Sequence, residues 1–302
     1  MGICAALCLL GVARCAPSTV TVGTGTDQAH PGRAIAHAGY GDTILVNPGV
    51  YEQCAVIKAS HVTIEGTGPG VVFSDATCQG KAIFVTVGSD ITIRNLTLQR
   101  ASVRDDNGAG IRAQGTNLLV DGVKFLDNQE GILTTNNKRS TIRIINSDFE
   151  RNGLCAGNCA HGVYVGHINT LDIEHSHFFN QRTAHHVKSR AFRTILIDNV
   201  IEDGPKGTAS YEVDVPNGGA LLMQGNTLEK GPKAQNWATV VAIGEEKGPQ
   251  QHGEIIIRDN KLTNDNKHTT VFVRNETKDP AQLIGNTLIG DVTPLEGPGS
   301  VK

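Results

Sequence analysis

Residues 91–98 read ITIRNLTL, in which Ile91, Ile93 and Leu98 form a frame: apolar, any residue, apolar, four of any kind, apolar. The frame returns as LLVDGVKF at 118–125, IRIINSDF at 142–149 and LDIEHSHF at 171–178. Later copies carry Thr194, Leu196 and Ile201; Leu221, Met223 and Leu228; Ile255, Ile257 and Leu262; and Ala281, Leu283 and Leu288. Successive closing residues lie 23 to 34 positions apart. Alternation with a period of two marks a strand with one buried face. A strand that recurs every ~25 residues, with Gly and Asn between copies, buries that face by stacking on the next copy in a parallel solenoid.

A second strand follows each frame. Its copies are GAGIRAQG (108–115), EGILTT (130–135), HGVYVGH (161–167), HHVKSRA (185–191), SYEVDVP (210–216), ATVVAIGEE (238–246) and HTTVFVRN (268–275). The uneven spacing places insertions in the outer loops, while the strands keep register. Asn95, Asn146 and Asn199 fall in or near the turn after the first strand, where Asn tolerates a left-handed backbone. His175 reads as a member of that turn column and His177 as a surface residue. An amphipathic cap is expected over Asp27–Ala38, covering the first coil.

Composition narrows the function classes. The chain is 39% apolar with a formal net charge of −3, which is unlike a disordered chain. It has no basic surplus with which to neutralise phosphates, so nucleic acid is excluded as a partner. Residues 1–15 (MGICAALCLLGVARC) read as a signal peptide, leaving residues 16–302 as one β-helix domain. Beyond that segment no apolar run is long enough to span a membrane. A secreted or periplasmic monomer is expected; lipid attachment at Cys15 is disfavoured by Arg14. Cys54, Cys78, Cys155 and Cys159 remain after cleavage, which in an exported chain points to two disulfides. Proximity favours Cys54–Cys78 and Cys155–Cys159 among the three possible pairings.

With Asp42-Thr-Ile-Leu-Val-Asn-Pro-Gly-Val-Tyr51-Glu52 as its opening coil, the chain resembles the right-handed parallel β-helix superfamily, the pectin-lyase-like fold, over about residues 18–290. The resemblance implies an all-β, single-stranded right-handed solenoid of nine or ten coils. The superfamily holds uronate polysaccharide lyases, glycoside hydrolases, C5-epimerases, adhesins and tailspikes, so the fold alone does not choose a function. Lys188-Ser189 is similar to the Lys-Ser dipeptide of the β-helical alginate lyases. The acidic Asn-Gly-x-Glu motif of those enzymes has no counterpart, since Asn217-Gly218-Gly219 is followed by Ala220. Signatures of alginate epimerases, polygalacturonases and pectate lyases are also missing.

Aligning the second strands on Ile111, Ile132, Val163, Val187 and then Tyr211 or Val213 turns alternate side chains outward. In the Tyr211 register Lys188 lies opposite Glu212, and Arg190 opposite Asp214. Coils ~4.8 Å apart and alternate residues ~7 Å apart would gather these four into a square. Tyr164 stands on the coil before, and Glu245 and Glu246 on the coil after. His161, His167, His185 and His186 lie around its edge, six of the eleven His falling between 161 and 186. Such a cluster is either a salt-bridge ladder or a site of perturbed ionisation.

The preferred function is a polysaccharide lyase acting on an acidic, uronate-containing glycan by β-elimination. Lys188 or neutral His186 would be the base, Arg190 the carboxylate neutraliser and Tyr164 the proton donor. Glu212 and Asp214 would hold a Ca²⁺ or, as the alternative, serve a glycoside hydrolase as an inverting pair. A non-catalytic glycan-binding protein is the third reading. His161, His167, His185, Glu246 and Trp237, the sole Trp, would contact substrate. On this reading Lys188→Ala and Arg190→Ala remove turnover with little change in unfolding.

Overall fold

The computed structural model describes residues 16–302 apart from 158 and 247. The signal-peptide reading of residues 1–15 lies outside the described residues. Three parallel sheets of twelve, ten and ten strands wind around one core. Each coil gives one strand to each sheet in turn. Thr43–Val46 belongs to the first sheet, Gly49–Tyr51 to the second and Ala55–Ile57 to the third, and Thr63–Gly66 returns to the first.

The repeat frame sets this register. Ile91, Leu118, Ile142, Leu171, Thr194, Leu221, Ile255 and Ala281 stand one above another in the first sheet. The closing residues Leu98, Phe125, Phe149, Phe178, Ile201, Leu228, Leu262 and Leu288 stack likewise in the second. Phe125, Phe149 and Phe178 lie nearly parallel, with ring centroids 4.5 Å apart at both steps, so the aromatic spacing follows the strand spacing. The stack has about eleven turns, more than the nine or ten expected. The additional strands are terminal: Gly299–Val301 is exposed throughout, and Val292–Glu296 has no fully buried residue, so neither carries the apolar frame.

The bend between the first and second sheets explains the residues found there. Asn95, Gly122, Asn146, His175, Asp198, Gly225, Asp259 and Gly285 all have φ between 49° and 69°, a left-handed backbone that Gly, Asn and Asp adopt most readily. Asn199 is not part of that column, contrary to the sequence reading. It follows the left-handed Asp198 and turns inward. There Asn199, Asn226, Asn260 and Asn286 form an amide ladder, each Nδ2 donating to the next Oδ1 at 2.9–3.0 Å. Each Oδ1 also accepts from the backbone N–H of the coil before. The ladder satisfies amides that would otherwise be orphaned in the core.

The cap is the short helix Pro31–Ala36, within the expected stretch, with Ile35 buried against the core. Both expected disulfides are present. Cys54–Cys78 joins two consecutive coils, and Cys155–Cys159 closes the hairpin of Leu154–Cys155 and Cys159–Ala160. Among the described residues no helix is long and apolar enough to cross a membrane.

Candidate functional site

The third sheet carries the charged cluster, and its register decides which residues meet. Val163 pairs with Val187, Val187 with Val213 and Val213 with Val241, all fully buried. Tyr164, Lys188, Asp214 and Ala242 therefore form one outward column. Lys188 lies beside Asp214, not Glu212, which corrects the square drawn from the Tyr211 alignment. Tyr211 falls two residues earlier, where its ring stacks on His185 at 4.8 Å and its hydroxyl donates to Glu245 Oε2 at 2.7 Å.

The same register sends Glu212 and His186 inside. Both are fully buried at the corner between the second and third sheets. Glu212 Oε2 faces Lys230 Nζ at 3.0 Å, and His186 Nε2 lies 3.2 Å from Asp203 Oδ1. Burial pushes the Glu212 carboxyl well up, against the opposing pull of Lys230. Burial also raises Asp203, but His186, Lys230 and the Gly231 N–H outweigh it and hold the carboxyl below its ordinary value. Neither His186 nor Glu212 can reach a glycan on the outer surface. The expected Ca²⁺ pair does not fit either. Glu212 faces Lys230 in the interior, Asp214 faces Lys188 on the outer column, and the two carboxylates do not converge. Among the described residues no three His, Cys, Asp or Glu side chains form a metal-holding group.

Lys188, Arg190, Tyr164, Asp214 and Glu246 do come together. Lys188 Nζ donates to Asp214 Oδ2 at 2.6 Å and to Glu246 Oε1 at 2.8 Å. Arg190 Nη2 donates to both Glu246 oxygens, at 2.8 and 2.6 Å. The other guanidinium nitrogens are fixed as well: Nε donates to Tyr164 Oη at 2.9 Å and Nη1 to Asn217 Oδ1 at 2.6 Å. Asn217 lies two residues past the strand Val213–Val215 that bears Asp214, and that place at the rim of the cluster was the available signal.

Burial works against the Lys188 ammonium, but Asp214 and Glu246 outweigh it and hold its pKa above the ordinary lysine value. At rest Lys188 is therefore a cation. Burial raises the Asp214 carboxyl to about 6 even though Lys188 pulls it down. For Glu246, burial is overcome by Lys188 and Arg190, and its carboxylate is stabilised.

A polar column borders this cluster. Glu130, His161, His185 and Tyr211 occupy equivalent positions on four coils. The His161 N–H donates to Glu130 Oε1, the His185 N–H to His161 Nδ1 and the Tyr211 N–H to His185 Nδ1, at 3.1–3.2 Å. A ring nitrogen that accepts from a backbone N–H carries no proton, so both imidazoles are neutral with hydrogen on Nε2. Burial, reinforced by nearby cations, points the same way: His161 is lowered to about 3 and His185 well below its ordinary value. His185 Nε2 faces Asp214 Oδ2 at 3.5 Å. These rings position neighbours and are poor bases, because their free lone pair is already used.

The remaining sequence candidates lie apart from the cluster. His167 lines a cavity of about 740 Å³ together with Phe192, at the corner where the third sheet gives way to the first. Trp237 is half-exposed and rests on His268, with ring centroids 4.6 Å apart.

The chain belongs to the right-handed β-helix family: the family model described as "Right handed beta helix region" matches residues 44–201. Among solved structures, an alginate lyase from Paenibacillus sp. str. FPU-7 is similar at 17% identity and a TM-score of 0.65, over 93% of this chain and 99% of that one. The A-module of an Azotobacter vinelandii mannuronan C-5 epimerase gives 14% identity and a TM-score of 0.49, over 94% of this chain and 100% of the module. A pectin methylesterase from Aspergillus niger gives 11% and 0.43, over 93% and 91%. At these identities the likeness is one of fold. No curated protein matches the sequence.

Proposed function

We propose that the protein is a polysaccharide lyase that cleaves an acidic, uronate-containing glycan by β-elimination. The observation that carries this reading is the grip of Arg190 and Lys188 on a carboxylate. Arg190 holds both oxygens of Glu246 and Lys188 holds one, so the pair already forms a carboxylate-binding fork. Glu246 occupies the place that a uronate carboxylate would take.

The chemistry follows from the neighbours. A substrate carboxylate displaces Glu246 onto solvent, and Arg190 neutralises it. This stabilises the negative charge that spreads into the carboxylate when the C5 proton leaves. Neutral Lys188 takes that proton. The electron pair forms the C4–C5 double bond, the C4–O bond breaks, and Tyr164 gives its hydroxyl proton to the leaving oxygen. Asp214, beneath Lys188 and fully buried, positions the amine. The hydrolase alternative loses support, because Glu212 is interior and Asp214 is covered. Two disulfides support a secreted or periplasmic location.

Incubation with uronate glycans, read by the ultraviolet absorbance of the unsaturated product sugar, tests the proposal. Product should form, and Arg190→Ala and Tyr164→Phe should abolish it. Because Lys188 must first lose its proton, the rate should climb by up to about tenfold per pH unit from neutral to mildly alkaline pH. A flat profile would remove Lys188 from the base role. Reducing ends without absorbance would indicate hydrolysis, and retention without product a binding protein.

A further inference from the structure

We propose that the cavity holding His167 and Phe192 is a second glycan subsite, taking a further uronate unit of the same chain. The proposal rests on the lyase reading above and extends it. At about 740 Å³ the cavity falls in the ~300–1,000 Å³ range of small-ligand sites. It crosses three consecutive coils, with Asn136 and Lys138 on one, His167 on the next and Phe192 on the third, a span of about 10 Å at the coil spacing. Gln250 and Gln251 close its far side.

Three observations point to an acidic saccharide. Phe192 is 53% exposed in a chain whose other large aromatics mostly pack inward, and it offers a flat apolar face to sugar C–H groups. Lys138 is exposed and makes no ion pair among the described residues, so its charge is free for a carboxylate. The cavity also adjoins the backbone that carries the fork. Phe192 lies two residues beyond Arg190, and the Gln251 amide that walls the cavity donates to the Arg190 and Ala191 carbonyls at 3.2 and 3.4 Å. A chain whose uronate sits on Arg190 would run along this corner and set a further acidic unit against Lys138.

The test is a length series of oligogalacturonates and oligomannuronates. For the parent, KM should fall as the oligomer lengthens. Phe192→Ala and Lys138→Ala should raise KM about tenfold for the longest oligomer and progressively less for shorter ones, and Lys138→Arg should recover most of the loss. Both side chains are exposed, so unfolding temperatures should match the parent. If the parent turns over but both variants keep its KM at every length, the subsite falls and the lyase reading stands. If the parent binds without product, the same comparison is read as Kd by calorimetry. If the parent neither binds nor cleaves either series, the lyase reading falls and the subsite with it.

Discussion

Lys188 is held between two carboxylates, one fully buried and one at the surface. The buried partner makes Lys188→Ala more than a loss of activity. Without Lys188 the Asp214 carboxylate is left inside with no cation, which typically costs about 3–5 kcal/mol. The sequence expectation of nearly unchanged unfolding is therefore reversed. The pH dependence has a definite sign. Asp214 has a folded-state pKa of about 6, above its ordinary 3.8, so ionising it penalises the fold as the pH rises through that window. Removing Lys188, which pulls that pKa down, enlarges the penalty. Chemical denaturation of Lys188→Ala should show a deficit near neutral pH that closes as acid protonates Asp214. An equal deficit at both pH values would mean that the lost stability comes from elsewhere. The residue pairing itself was only half legible. Tyr211 and Val213 are two positions apart, so alternation is satisfied with either one on the Val187 column. Only packing decides between them: Val213 fills the interior, and Tyr211 stacks on His185.

At the scale of elements, the segment that follows Thr239–Ile243 brings Glu245 and Glu246 over the third sheet and is fastened by its far end. The Gln251 N–H donates to the Asn217 carbonyl at 2.7 Å, and the Gln250 amide donates to the Glu246 carbonyl at 3.1 Å. Glu246 is thus delivered into the fork by a tethered loop, as an internal competitor of the substrate. Glu246→Gln keeps the shape and removes the charge. It should lower KM for a uronate glycan several-fold without lowering kcat, whereas a higher KM would return Glu246 to the substrate-contact role expected from sequence. The sequence shows the ATVVAIGEE strand but not the path of the loop after it. Insertions are visible there only as a longer interval in the repeat. The Asn ladder, by contrast, was within reach. Asn95 and Asn146 are fifth in their frames, while Asn199, Asn226, Asn260 and Asn286 are sixth, and that one-residue offset separates the turn column from the inward amides.

For the whole molecule, the solenoid was the most legible feature, because a recurring apolar frame leaves stacking as the way to bury it. The same logic governs how the stack comes apart. Each coil touches only its neighbours, so opening should start at the ends and be limited by local couplings. Cys54–Cys78 is such a coupling, linking two early coils across a sequence separation of 24. Closing a loop of that size stabilises by about 3 kcal/mol in the chain-entropy account. The Phe125–Phe149–Phe178 stack begins two coils beyond Cys78. In hydrogen exchange, the double variant Cys54→Ser, Cys78→Ser should lose protection in the strands Thr43–Val46, Ala55–Ile57 and Val71–Ser74. The amides around Phe149 should exchange as in the parent. A uniform loss of protection along the chain would show that the coils unfold as one cooperative unit, and the nearest-neighbour description of this solenoid would have to be given up.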